Sequence, residues 1–360
     1  MRILLVFLFL ITNLAVVCGQ DITAFIDYRG NLQSFDKGIF KQLEHLPVAG
    51  YKIGGKTIAY VDHKNDFRVF SDGQTITMVN AADFSYWTTD YLTVFKVASV
   101  LYVFDRGEKR TLCYYNTMMT LSDSLLAYFD DAKSSFNIYY NGKVALLEDN
   151  FLSKPRAIKT GSNVLSWVNQ SGYFNVFYHG NLITLDNIPP ITFEAGRDIV
   201  AWIDDYTRQF HLFYNGDTAI VETFAPDSFK VGFGIMAYVD QQSNFRIFHD
   251  GKTEKLLSNR PEMFAVKGNV IVYAYNNMFN VYYKGNVYNL QNRIPIDFQL
   301  GNDGVAWIDD SGRLNLFQKG KIYTVSYEII NRFYLSGNVL KYETGINSVF
   351  VFYEGKNYEQ

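Results

Sequence analysis

Proline and cysteine are scarce in this chain. Of its 360 residues, seven are Pro and two are Cys. Two cysteines, one of them inside the N-terminal apolar stretch, cannot make a disulfide framework. The one that remains, Cys113, sits beside Leu112, Tyr114 and Tyr115 and reads as a small core hydrophobe. Low-complexity and charge-rich tracts are missing, so no segment reads as disordered. Basic and acidic residues number 33 and 36 without a run of either sign, which leaves no electrostatic footprint for nucleic acid. Beyond residue 19 no apolar stretch approaches the ~20 residues of a membrane-spanning helix. The chain also lacks a His-Glu-x-x-His or Cys/His metal spacing, an Asp-x-Asp-x-Asp-Gly calcium loop, a Gly-x-Ser-x-Gly elbow and a Gly-rich phosphate loop. No catalytic residue, metal site or cofactor is therefore assigned from sequence.

The N-terminus differs from the rest. Arg2 is followed by an apolar run from Ile3 to Val17, broken at Thr12 and Asn13, then by small Cys18 and Gly19 and polar Gln20 and Asp21. This is the composition of a secretory signal peptide over residues 1–19. The expected location is secreted, periplasmic or at the cell surface. A cysteine closing an apolar leader is also the acceptor position of a bacterial lipoprotein, but Val17 stands where a small residue is expected, which favours plain cleavage near Gly19. Cleavage there removes one charge, Arg2, so 32 basic residues face 36 acidic ones and the net charge becomes −4.

What the chain has in quantity is aromatics, 17%, a composition that suits pleated packed surfaces. It also has a repeat. Gly38, Gly73, Gly107, Gly142, Gly180, Gly216, Gly251, Gly285, Gly320 and Gly355 recur at intervals of 34 to 38. Periods of this size mark a solenoid, propeller or other array. Within a unit, apolar runs of four to seven residues alternate with Gly, Asn or Asp turns. Residues 263–266, 270–275, 279–283 and 287–290 show the pattern. These runs are too short for helices and read as four antiparallel strands. Runs such as Val200-Ala201-Trp202-Ile203 are apolar on both faces and must be covered on both. Four-stranded sheets stacked radially, the blades of a β-propeller, satisfy this, and about 35 residues suffice for one blade.

The unit resembles the repeats of YWTD-type and TolB-like propellers, in which an aromatic-x-Asp second strand precedes an apolar third strand and a glycine turn. Residues 155–180 carry the likeness: Pro155-Arg156-Ala157-Ile158, Ser166-Trp167-Val168-Asn169, Phe174-Asn175-Val176-Phe177 and Gly180. The resemblance implies that the run after the proline is the innermost strand of its blade. The expected fold is all-β, a propeller of about ten four-stranded repeats over residues 20–360, as one large ring or as two five-bladed rings. The two longest intervals suggest a seam near 150–190. Unit one begins at its second strand, so one inner strand is missing.

Three sets of residues are candidates for chemistry. Asp27, Asp62, Asp130, Asp204, Asp240 and Asp309 follow the second run in their units, where an Asp caps a turn. Tyr140, Tyr178, Tyr214, Tyr283 and Tyr353 stand two before the turn glycine, either as exposed aromatic platforms or as packing. Lys52, Lys159, Glu194, Lys230 and Gln299 fall on the inner strands, with Asp297 as a further acid, and Trp87 belongs with Lys96 and Cys113 to the divergent third unit. Lys52, Trp87, Lys159, Glu194, Lys230, Asp297 and Gln299 are the expected ligand-binding set. The expected function is an exported module that binds or scaffolds a protein or glycan. An exported glycoside hydrolase or lyase with carboxylates at the channel is the alternative. A structural part of a cell-surface or secretion assembly is a third.

Overall fold

A computed structural model describes the chain except for residues 1–20, 81–82, 151–153, 156 and 346–347. The expected leader at 1–19 lies outside the described residues. These residues form strands, turns and bends, with no helix among them. Nine sheets have four antiparallel strands in simple up-and-down order, and one has three. They make ten blades in a single ring, so the alternative of two five-bladed rings falls away.

Blade 6 shows how sequence makes the unit. Its inner strand is Thr192–Ala195, its second Ile199–Ile203, its third Phe210–Tyr214 and its outer Asp217–Glu222. Every residue of the second strand is buried, because the sheet packs between blades 5 and 7 and has no solvent face. Outer strands carry the polar residues and are largely exposed. Blade 1 consists of Ile22–Ile26, Leu32–Asp36 and Ile39–Gln42, which correspond to second, third and outer strands. Its apolar face (Phe25, Phe35) packs on Val339, Val349 and Val351 of blade 10, and this closes the ring.

The recurring glycine is the second central residue of the hairpin between third and outer strands. Its φ is 75–101° in all ten blades, and the residue before it is also left-handed, at 48–52°. Two positive φ values define the type I′ turn, whose twist matches the flanking strands and whose second position suits glycine. This is why Lys37, Asp72, Arg106, Asn141 and His179 can share one slot: the backbone, not the side chain, is selected there.

The second turn, between second and third strands, is where the repeated aspartates stand. Asp240 Oδ1 accepts from the N–H groups of Gln242 (2.9 Å) and Asn244 (2.8 Å), and Asp309 does the same for Ser311 and Arg313. Asp27 and Asp62 cap their turns in the same way, while Asp130 accepts from Ala132 N and Asp204 from Thr207 N. Burial opposes the charge on Asp27, Asp62, Asp204, Asp240 and Asp309, but these donors outweigh it and hold the carboxyls below their ordinary value.

Neighbouring blades are tied through their aromatics. Trp167 Nε1 donates to Glu148 (2.5 Å), Tyr238 OH to Glu222 (2.7 Å), Trp307 Nε1 to Gln291 (3.1 Å) and Tyr60 OH to Glu44 (3.1 Å). In each case the acceptor follows the outer strand of the preceding blade or ends it. Such a tie lets a large ring be buried without stranding its polar atom.

Candidate functional site

The nine described inner turns, between inner and second strands, meet around one mouth of the channel. They are short, and most begin with a glycine not in the ten-membered series: Gly54, Gly161, Gly196, Gly232, Gly268, Gly301 and Gly337. Several of these turns hydrogen-bond the next through the backbone. The N–H of Gly55 donates to Thr89 O (3.0 Å), Tyr91 to Asp123 O (3.2 Å), Arg197 to Gly232 O (3.0 Å), Phe233 to Gly268 O (2.7 Å) and Asn269 to Asn302 O (2.7 Å). Backbone therefore packs on backbone. A Cβ on Gly161 would stand 1.8 Å from Gly196 O, and one on Gly196 would stand 2.0 Å from Gly232 O.

In blades 3 and 4 the compact turn is replaced. Thr89-Asp90 and Ser122-Asp123 bring two carboxylates to the mouth. Facing them are Asn302 of blade 9, whose amide donates to Asp90 Oδ2 at 3.4 Å, and Lys267 of blade 8. Arg197 of blade 6 lies 3.9 Å from Asp123, donates to Ser162 Oγ (3.1 Å) and stacks on Phe233. The mouth is thus bridged across the ring. Cavities of about 330 Å³ and 280 Å³ share Ser122, Asp123, Lys267 and Asn302. Burial, then the charge of Asp123, push the Asp90 carboxyl up to about 6.

A raised carboxyl is a destabilising charge at neutral pH. The stability it contributes is complete below the ordinary carboxyl value near 4 and is lost as pH rises through about 6. Asp90→Asn is therefore expected to stabilise the protein by on the order of 2 kcal/mol at pH 7. The gain should vanish at pH 4. Thermal unfolding at both pH values checks it, and an equal gain at both would rule it out.

A cavity of about 610 Å³ lies on the same face and runs outward over blades 2–4. Tyr91 (39% exposed) and Tyr140 supply rings; Lys56, Asp72, Asp105, Arg106 and Asn141 supply polar groups. Lys56 stacks on Tyr91 at 5.5 Å, and Arg106 donates to Asn141. Asp105 accepts from Tyr139 OH at 2.9 Å.

The expected ligand-binding set is not gathered in one place. Lys52 donates to Tyr86 O (2.6 Å) and lies over the rings of Tyr86 and Trp87. Gln299 bonds both Phe333 O (2.7 Å) and Leu335 N (3.0 Å), the open edge of the next inner strand. Lys159 and Lys230 flank Glu194 at 3.7 and 3.9 Å. These side chains join adjacent inner strands to one another. Asp297 is not on an inner strand: it precedes Phe298–Leu300, is exposed, and accepts from Ile308 N at the face opposite the bridged mouth. Trp87 is half-buried against the core of blades 3 and 4. In the same unit Lys96 donates to Asn116 O, and Cys113 is buried, its thiol pushed up to about 12 by burial.

The five tyrosines pack between blades, and Tyr140 also lines the cavity of about 610 Å³. Tyr283 and Tyr353 are buried and the other three half-buried, and Tyr178 and Tyr283 donate to Asp198 and Asp303 of the following blade. Sequence reasoning did not single out the inner-turn glycines, Asp90, Asp123 or Tyr91. A signal was present for two of them: Thr89-Asp90 and Ser122-Asp123 fall where other units have glycine.

Among curated proteins none matches the chain. Several solved structures share likeness at low identity. A computationally designed protein, Ika8, is 13% identical with a TM-score of 0.36, over 74% of this chain and 95% of its own. The ectodomain of the receptor kinase CR4 of Physcomitrella patens is 9% identical with a TM-score of 0.33, over 85% and 72%. PorZ, a surface component of the type-IX secretion system of Porphyromonas gingivalis, is 9% identical with a TM-score of 0.31, over 85% and 51%. A family of 10-bladed beta propeller domains matches residues 16–358. Ten blades in one ring and a match over nearly the whole length lead to the same statement: this chain belongs to the 10-bladed beta propeller domain family.

Proposed function

We propose that the protein is exported and acts as a binding propeller, taking a protein or glycan on the face of the inner turns over blades 2–4. The groove of about 610 Å³ carries this reading. Two tyrosine rings with a lysine, an arginine, two carboxylates and an amide around them form an amphipathic surface. Such a surface stacks on a sugar ring or a planar side chain and hydrogen-bonds its rim. The apolar leader composition of residues 1–19 supports export. Screening against a glycan array and a protein panel tests the reading. Tyr91→Ala and Arg106→Ala are each expected to weaken binding about tenfold or more, without lowering the melting temperature. Binding that survives both substitutions unchanged places the ligand elsewhere.

A hydrolase or lyase at the channel mouth is the second reading, and the Asp90–Asp123 pair favours it. A carboxyl that keeps its proton to about pH 6 beside a second carboxyl has the makings of an acid and its partner. Turnover of a polysaccharide that is lost in Asp90→Asn, while array binding is kept, would establish this reading over the first.

A further inference from the structure

At the second turns, two carboxyls meet across a blade boundary in three places among the described residues. One is the turn aspartate, and the other ends or follows the outer strand of the preceding blade. Between blades 6 and 7 the pair is Asp240 and Glu222. Arg246 lies between them, its Nε 2.7 Å from the first and 3.5 Å from the second. Between blades 1 and 2 the pair is Asp62 and Glu44, and Arg68 lies 2.7 and 3.2 Å from them. Tyr238 and Tyr60 complete these two sets by donating to the glutamates.

Between blades 5 and 6 the pair is Asp204 and Asp186, and the set differs at two positions. The strand register fixes the correspondence. Asp186 is opposite Phe174 as Glu222 is opposite Phe210, and His211 is opposite Trp202 as Arg246 is opposite Tyr238. An aspartate therefore stands where the other two sets have glutamate, and a histidine where they have arginine. Asp186 is one methylene short. Trp202 Nε1, whose counterparts in Trp167, Tyr238, Trp307 and Tyr60 all donate to this position, is buried without a hydrogen-bond partner. His211 Nε2 is buried without one as well, and its ring stacks on Trp202 at 5.1 Å and 21°. The two carboxyls hydrogen-bond each other instead, which requires a proton on one of them. Burial first, and then this contact, hold the Asp186 carboxyl above its ordinary value.

An imidazole can take the arginine's part here. Nε2 of histidine and Nε of arginine are the same number of bonds from Cα, so His211 Nε2 reaches the depth at which Arg246 Nε meets both carboxylates. Other charges facing this place are few and already engaged. The third and outer strands of blade 5, Phe174–Tyr178 and Asn181–Asp186, add only Tyr178, whose OH donates to Asp198. In blade 6 the second strand adds none, Tyr214 and Asp217 stand at the far end of their hairpin, and Glu222 is held by Tyr238. On the turn Asp205 pairs with Arg208 at 3.5 Å, and on the inner strand Glu194 lies between Lys159 and Lys230.

We propose that His211 is a proton-operated latch between blades 5 and 6: as an imidazolium it donates from Nε2 to the Asp186–Asp204 pair, the bridge that Arg246 and Arg68 make permanently. The proton comes from solvent, and once a cation stands between the carboxylates they no longer need to share one. Uptake favours the closed boundary, so the added stability is present in weak acid and is lost as pH rises through the range where imidazoles titrate, ordinarily about 6.5. The boundaries built on arginine do not respond over that range, because a guanidinium keeps its charge.

Amide exchange in the full chain, corrected for the intrinsic rate at each pH, tests the latch. The amides of Asn181–Asp186 and Phe210–Tyr214 are expected to exchange about tenfold more slowly at pH 5.5 than at pH 8, while those of Phe245–His249, beside Arg246, keep one rate. His211→Arg is expected to give the slow rate at both pH values, and His211→Gln the fast rate at both. A response that persists in His211→Gln would put the proton on the carboxyl pair alone and overturns the proposal; so does a wild type that does not respond. Wild type and His211→Gln decide the matter by themselves if the arginine is too bulky for the stack on Trp202. Imidazole nitrogen shifts give a second readout. The His211 ring, identified by its loss in His211→Gln, is expected to be an imidazolium at pH 5.5, and a neutral ring there overturns the proposal as well.

Discussion

Replacing Gly161 by Ala is expected to destabilise the protein by about 3 kcal/mol or more. The added methyl would lie 1.8 Å from the oxygen and 2.4 Å from the carbon of Gly196, and both are backbone of the neighbouring inner turn. No rotamer change can relieve such a contact. The turns of blades 5 and 6 would have to separate, and the collar of hydrogen bonds around the mouth runs through both neighbours. Gly285→Ala makes the proper comparison. Its Cβ would meet nothing within 4 Å, and only the left-handed φ of 79° opposes it. That costs about 1–2 kcal/mol. Urea unfolding of both variants measures the difference. Equal losses would mean that inner-turn packing is far looser than the geometry requires.

Asp240→Ala is expected to cost about 3 kcal/mol at pH 7. The carboxylate is nearly buried and caps two backbone N–H groups; Arg246 Nε lies 2.7 Å away. Arg246 also stands 3.5 Å from Glu222, which accepts from Tyr238, so one truncation leaves the arginine half-paired at the boundary of blades 6 and 7. The loss depends on pH with a definite sign. The folded carboxyl sits below its ordinary value, so its contribution is present above about pH 4 and disappears as pH falls through the folded value. The gap between wild type and variant should therefore close in acid. Four more turn aspartates carry the same sign, so the wild type itself should lose stability steeply below pH 4. Asp90 contributes in the opposite direction: the stability linked to its proton is lost between about pH 4 and 6 and stays lost above that.

The strand pattern was legible because each blade obeys local rules. Short apolar runs, turn glycines and Asp caps are all decided within about 35 residues of chain, and the structure places them where the spacing predicts. The tyrosines before the turn glycines were harder to place. Tyr178 and Tyr283 look like surface rings from their own unit, and only the next blade brings Asp198 and Asp303 to them. Gln299 and Lys52 read as channel ligands for the same reason. Their partners, the open edges of neighbouring inner strands, belong to other units.

The carboxylates at the mouth were missed on account of distance. Asp90 and Asn302 are 212 residues apart, and no periodicity relates them. The inner-turn glycines are a second lesson. Their spacing was visible, but their requirement comes from backbone contact between blades, which no single unit contains.

By itself, the sequence determined the blade: its four strands, its type I′ hairpin glycine, its capped second turn, and the number of repeats. These follow from φ preferences, alternation of apolar residues and short-range hydrogen bonds, all of them local. Tertiary structure alone decided that the ten blades share one ring, that its mouth is bridged between blades 3 and 9, and that a groove opens over blades 2–4. Closure and bridging depend on how small angles between packed sheets add up around the ring. They also depend on side chains hundreds of residues apart, and a repeat that is nearly the same in every unit carries no record of either.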